Sequence, residues 1–124
     1  MILAIALGGA GGSVLRYLIT VWMRDANGDT HVATLLINVS GCFVIGLLTR
    51  LLSVPESNPV MRAALVVGFC GGFTTFSTFS AEFVTMVQEG REARAIGYVL
   101  TSVVMGVLAT VSGLLVGNRL LVPR

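Results

Sequence analysis

Four long apolar stretches, 1–23, 30–49, 63–86 and 95–118, take up most of the 124-residue chain and decide what it can fold into. Each has about the 20 residues an α-helix needs to cross a hydrocarbon core ~30 Å thick. Only Arg16 and Glu82 interrupt them, while the other charges, Arg24, Asp25, Asp29, Arg50, Glu56, Arg62, Glu89, Arg91, Glu92, Arg94, Arg119 and Arg124, fall in short clusters or at the chain end. The apolar runs are continuous rather than alternating, and backbone polar groups in lipid must be satisfied within each segment, so helices are expected and a barrel is not. Charged residues make up 11% of the chain, against roughly 25% in soluble domains. That excludes a soluble enzyme, a disordered chain and a secreted disulfide scaffold.

The pattern predicts an all-α, multi-pass protein of the cell (inner or plasma) membrane. It forms a single four-helix transmembrane domain over 1–124, with spans at about 2–23, 31–51, 62–87 and 95–118. No basic residue precedes the first run, which is too long and glycine-rich for a cleaved signal peptide, so it reads as the first helix. The loops are tight, and the middle one, Ser53-Val54-Pro55-Glu56-Ser57-Asn58-Pro59, consists of residues that stop one helix and start the next. Four spans put Arg50, Arg62, Arg119 and Arg124 on one side and Arg24, Arg91 and Arg94 on the other, almost without positive-inside bias. If Arg16 snorkels toward the first loop, the two sides are even. So weak an orienting signal allows insertion in both directions and antiparallel pairing of two copies.

Gly8-xxx-Gly12, Gly68-xxx-Gly72 and Gly113-xxx-Gly117 put small residues one turn apart, a pattern for close helix contact either within one subunit or between subunits. Four short helices enclose little volume, so a solute path calls for a second subunit. Cys42 and Cys70 lie deep in spans without metal or redox spacing and read as small packing residues. His31 reads as a wetted cap residue at the start of the second helix, and Trp22 as an interfacial anchor.

Polar groups inside the spans are costly and therefore point to function. Asn38 lies mid-way along the second span, either as a bundle hydrogen bond or as a functional amide. The third span carries Gly71-Gly72-Phe73-Thr74-Thr75, poor helix formers near its middle. A helix break there is expected, and broken backbone at membrane depth must be buried or line a cavity, where its carbonyls can hold a cation. Phe76 and Phe79, three residues apart, share a helical face interleaved with Thr75, Ser77, Thr78 and Ser80. Ring edges carry the positive part of the aromatic quadrupole, and hydroxyls donate hydrogen bonds. Tyr98, Thr101 and Ser102 extend the hydroxyl track on the fourth helix, although such hydroxyls often bond back to their own backbone. An interior rich in donors and nearly without carboxylate favours a small anion over a cation.

These motifs resemble those of the Fluc (CrcB-type) fluoride channels: Gly71 to Glu82 in the third helix, Gly11-Gly12-Ser13-Val14-Leu15-Arg16 in the first and Asn38-Val39-Ser40-Gly41 in the second. The resemblance spans nearly the whole chain. Ala33 departs from it, where many relatives are expected to carry Gly. It implies passive, fluoride-specific export from the cytoplasm by an antiparallel homodimer with two pores, embedded in a lipid bilayer and without a nucleic-acid partner. Phe76, Phe79 and Asn38 are then pore residues, with Ser77, Thr78, Ser80, Tyr98 and Ser102 as hydroxyl lining. Gly71 and Thr74 supply backbone carbonyls to a structural, untransported Na+ on the dimer axis. Arg16 falls to a vestibule or interface role, and Glu82 to vestibule gating or interface hydration.

The rival reading is a small dual-topology, proton-driven exporter of cationic drugs, which needs a buried carboxylate, typically in the first helix. That helix holds Arg16 and no acid, leaving Glu82 as the candidate. A purely structural scaffold is a third reading. Enzymatic activity is not expected, since no nucleophile–base or metal-ligand constellation is visible in the sequence.

Overall fold

The computed structural model describes residues 1–24, 28–55 and 57–121; Asp25, Glu56 and Arg124, which enter the charge pattern, lie outside the described residues. All regular structure among the described residues is helical. Among the described residues, four helical spans are long and apolar enough to cross a membrane: α1 (Ile2–Met23), α2 (His31–Leu51), a composite third span (Pro59–Gln88) and α6 (Glu92–Leu121).

The third span is assembled from pieces. Asn58 starts it by accepting hydrogen bonds from the Val60 and Met61 amides at 2.8 and 3.3 Å, with Pro59 in the first turn where its missing N–H costs nothing. A short α3 (Pro59–Arg62) leads into a π-helical stretch, Ala63–Cys70, then into α4 (Gly71–Phe73). Thr74 and Thr75 are extended (ψ 158° and 113°), and the helix restarts as α5 (Phe76–Gln88). The break thus falls at the Thr-Thr pair, one residue beyond the two glycines. At the far end α5 closes in a Schellman turn, with Arg91 N–H on the Met86 carbonyl and Gly90 N–H on that of Val87. Gly90, at φ +72°, occupies the left-handed position that a side chain would strain.

Hydrophobicity does not drive helices together in lipid; close packing of small residues does. The glycine motifs do this work within the chain. A methyl group on Gly8 would overlap the Ala64 carbonyl oxygen and one on Gly12 that of Phe69; across the contact, Gly68 meets Ile5 and Gly72 meets Gly9. In the second helix pair, Gly113 abuts the Phe43 carbonyl and Gly46 that of Thr110. The chain is therefore two tight pairs, α1 with the first half of the third span and α2 with α6, while α5 lies against α2 and α6. The last contact contains a small core of Met86, Ala95 and Tyr98, flanked by Leu35, Phe79 and Phe83. Arg50 ties the end of α2 to α6 through Asn118 and donates to Ser53 at 2.9 Å. Trp22 is 84% exposed at the end of α1.

Candidate functional site

The break is held by Asn38. Its Nδ2 donates to the Thr75 carbonyl at 3.1 Å and its Oδ1 accepts the Thr75 N–H at 2.8 Å. Only one amide orientation satisfies both bonds, so the carboxamide is fixed. Thr75 also caps α5, its Oγ1 accepting the Thr78 N–H at 3.2 Å and donating to Thr78 Oγ1 at 3.0 Å. Upstream, the Cys70 carbonyl accepts both the N–H and the hydroxyl of Thr74 at 3.0 and 2.9 Å. Asn38 reaches the break because Gly41, one turn along α2, leaves room for the Thr74 methyl.

Two polar crevices meet at Thr78 on α5. The first, about 280 Å³, lies among α1, α2 and the break and is lined by Ser13, Arg16, Tyr17, Thr20, Thr34, Ile37, Thr75 and Thr78. Arg16 turns into it, and its buried Nε has no hydrogen-bond partner among the described residues. The second, about 260 Å³, runs from Asp29 and Arg91 at the rim to Thr78 and Glu82. There Glu82 Oε1 accepts from the hydroxyls of Thr30 (2.6 Å) and Thr34 (2.9 Å), and Oε2 accepts from Tyr98 (2.7 Å). Three hydroxyls thus hold the Glu82 carboxylate within the third span.

Phe76 and Phe79 pack with centroids 5.8 Å apart, and Phe79 lies 5.1 Å from Tyr98. Phe76 is nevertheless 79% exposed on the chain. A separate groove of about 240 Å³ beside it is lined by Asn38, Gly41, Cys42, Ile45, Thr74 and Thr75. The hydroxyl track divides. Ser80 bonds back to the Phe76 carbonyl at 2.9 Å, Ser77 sits 3.3 Å from Thr75 Oγ1, and Ser102 Oγ is buried and unpartnered among the described residues. Tyr98 is buried whereas Thr101 is exposed, so these two do not share a surface. Gly71 is exposed, with nothing within 4 Å of where a Cβ would stand.

His31 is not the wetted cap residue its position suggested. It is 9% exposed, its Nδ1 lies 3.3 Å from Asp29 Oδ1, and its Nε2 pairs with Arg94 Nη2 at 2.8 Å. Arg91 bridges Asp29 (3.5 Å) and Glu89 (2.9 Å), completing an ionic rim. Burial pushes the Asp29 carboxyl up, but the His31 ring and the Arg91 and Arg94 guanidiniums outweigh it and hold the group below the usual carboxylate range. Sequence reasoning missed this rim, the hydroxyls around Glu82 and the Asn38–Thr75 pair. The spacing of Thr75, three residues after Gly72 and three before Thr78, is the helix-start signal that points to the last of these.

Comparison with known proteins completes the description. The family model described as CrcB-like protein, Camphor Resistance (CrcB), matches residues 3–114. A protein of Pseudomonas fluorescens Pf-5 named fluoride-specific ion channel FluC is 44% identical over 117 residues, covering 92% of this chain and 94% of its own length. One of the same name from Acidobacterium capsulatum is 42% identical over 118 residues, covering 94% of each. The fluoride-specific ion channel FluC 2 of Bacillus subtilis 168 is 39% identical over 117 residues, 94% of this chain and 87% of its own length. With four membrane-spanning helices and a match across almost its whole length, this chain belongs to the CrcB-like protein family.

Proposed function

We propose that the chain is one subunit of a fluoride-selective channel through which fluoride leaves the cytoplasm passively, lowering its toxicity. The observation that carries the reading is the Arg16 crevice. It is a membrane-depth cleft of hydroxyls around an available guanidinium, with no acid among the described residues lining it. An arginine in mid-span costs roughly 2.5–3.5 kcal/mol on insertion scales, a cost that use by an anion explains. The names of the relatives supply the ion.

Fluoride holds its water tightly, so a path must replace hydration with donors in sequence, each weak enough to release the ion. Asn38 keeps one amide proton beyond its bond to Thr75, Thr78 and Ser102 have unused hydroxyl protons, and the ring edges of Phe76 and Phe79 add positive potential. Ser77, Ser80 and Tyr98 are the further hydroxyls we assign to the lining, although Ser80 bonds back to the Phe76 carbonyl and Tyr98 holds Glu82 in place. Arg16 draws the anion into the vestibule, and Glu82 orders the second mouth.

The path needs two copies. Phe76 is exposed on the chain, the crevices stay open on one side, and arginines divided four against three leave insertion unbiased. An antiparallel homodimer in the bilayer covers the rings and encloses two routes. The backbone at the break suits a structural sodium ion on the dimer axis. The amides that a continuous helix would aim at the Gly71 and Thr74 carbonyls, those of Thr75 and Thr78, are held by Asn38 and by Thr75 Oγ1 instead. Hard carbonyl oxygens of an unwound segment are the donors sodium takes in membrane proteins, so those of Gly71 and Thr74 would hold the ion, which would supply fixed positive charge there. The drug-exporter reading is not favoured, because Glu82, the acid within the third span, is engaged by three hydroxyls.

Fluoride efflux from proteoliposomes tests the proposal. Phe76→Ile and Phe79→Ile are each expected to abolish efflux while dimer assembly, read by crosslinking, survives. Undiminished efflux in both variants contradicts it.

A further inference from the structure

We infer that Asn38 is the positioning residue of the carbonyl pair at the helix break, keeping the Gly71 oxygen available to a cation by taking away the amide that would otherwise bond it. The inference rests on the sodium reading above and assigns Asn38 a duty there besides its place along the pore.

In an uninterrupted helix the N–H of Thr75 bonds the carbonyl of Gly71, four residues earlier. Here that N–H points at Asn38 Oδ1 at 2.8 Å, and the Thr75 carbonyl accepts Asn38 Nδ2 at 3.1 Å. Thr75 is largely buried, so without Asn38 its two backbone groups lose the partners that pair them. Unpaired buried backbone is costly, and the cheapest repair is to resume the helix and return the Thr75 amide to Gly71. Asn38 removes that incentive by pairing both the N–H and the C=O of Thr75. The Thr75 hydroxyl does the same for Thr74 by capping the Thr78 amide at 3.2 Å. The flanking carbonyls are occupied: Cys70 accepts from Thr74 twice, and Gly72 accepts the Ser13 hydroxyl at 3.4 Å. Gly71 itself faces open space, with room for another chain or an ion.

A residue that merely glues α2 to the third span leaves sodium affinity unchanged, so sodium affinity separates the two roles. The measurement is the sodium concentration that half-saturates thermal stabilisation of the full-length protein in detergent, with N-methylglucamine replacing sodium at constant ionic strength. Asn38→Leu is expected to raise that concentration by about tenfold or more, the usual scale for losing a group that orients a metal ligand. Asn38→Asp loses the donor to the Thr75 carbonyl but keeps the acceptor that holds the Thr75 N–H away from Gly71, and is expected to raise it far less than Asn38→Leu. An unchanged value in Asn38→Leu, or a rise of about tenfold in Asn38→Asp, overturns the inference. Amide exchange in the unmutated protein gives a reading independent of any variant's folding: slow exchange at Thr75 without sodium supports the inference, and fast exchange overturns it. If the unmutated protein shows no sodium stabilisation, the sodium reading falls and takes this inference with it. If it responds and Asn38→Leu responds alike, only the inference falls.

Discussion

Thr78 lines two crevices of nearly equal size and opposite electrical character. On one side Arg16 stands among hydroxyls of Ser13, Tyr17, Thr20, Thr34, Thr75 and Thr78, its Nε unpartnered among the described residues. On the other, Glu82 is held by Thr30, Thr34 and Tyr98, below a rim where Asp29 and Arg91 neutralise each other. Both charges sit in spans where an ion is expensive, but only the carboxylate has been given its partners. A satisfied charge is part of the scaffold. An unsatisfied one is available to a ligand, and here it is the cation that is available. That difference, more than the count of charges, makes the interior hospitable to an anion.

The sharpest way to break the comparison is to remove the available charge. Arg16→Gln should lower fluoride efflux by about tenfold or more, each factor of ten being about 1.4 kcal/mol. Arg16→Lys, which keeps the charge without the guanidinium fork, should lie between Gln and the unmutated protein. Efflux indifferent to both changes would mean the crevice is packing, no different from its neighbour. The second crevice should answer in stability instead. Glu82→Gln replaces one acceptor oxygen with a donor facing hydroxyl protons, and leaving one such group unpaired costs about 1–3 kcal/mol. Equilibrium unfolding in detergent reads this out, and a variant as stable as its parent would remove Glu82 from the scaffold.

The smallest effect belongs to the rim. The Asp29 carboxyl titrates below its ordinary value, so its contribution to stability is fully present above the unfolded pKa of about 3.9 and fades as pH falls through the folded value. The melting-temperature gap between the unmutated protein and Asp29→Asn should therefore shrink as pH falls below about 4. A gap that does not depend on pH would detach Asp29 from its His31 and Arg partners.

What could be read without coordinates follows from how local the cause is. The spans come from hydropathy, a property of consecutive residues, and the break at Thr74–Thr75 comes from glycine and β-branched chemistry in one short segment. The crevices were not legible, because they join residues far apart in the chain: Thr34 with Glu82, Asn38 with Thr75, His31 with Arg94. The glycine motifs marked close packing but left their partners open between subunit and subunit interface. Only the apposition of Gly8 and Gly12 to the third span, and of Gly113 to α2, assigns them to one chain. His31 misled because a cap position near the interface suggests water, whereas the loop acid and the α6 arginine close over it.

The most direct test of an anion route through a donor-lined interior is selectivity in one preparation. Vesicles reconstituted with the full chain are loaded in parallel with fluoride, with chloride or with a lipophilic cation, and the collapse of each gradient is followed with sodium present. The account predicts rapid loss of fluoride, with chloride and the cation retained as in protein-free vesicles. Retained fluoride together with proton-coupled loss of the cation would contradict it.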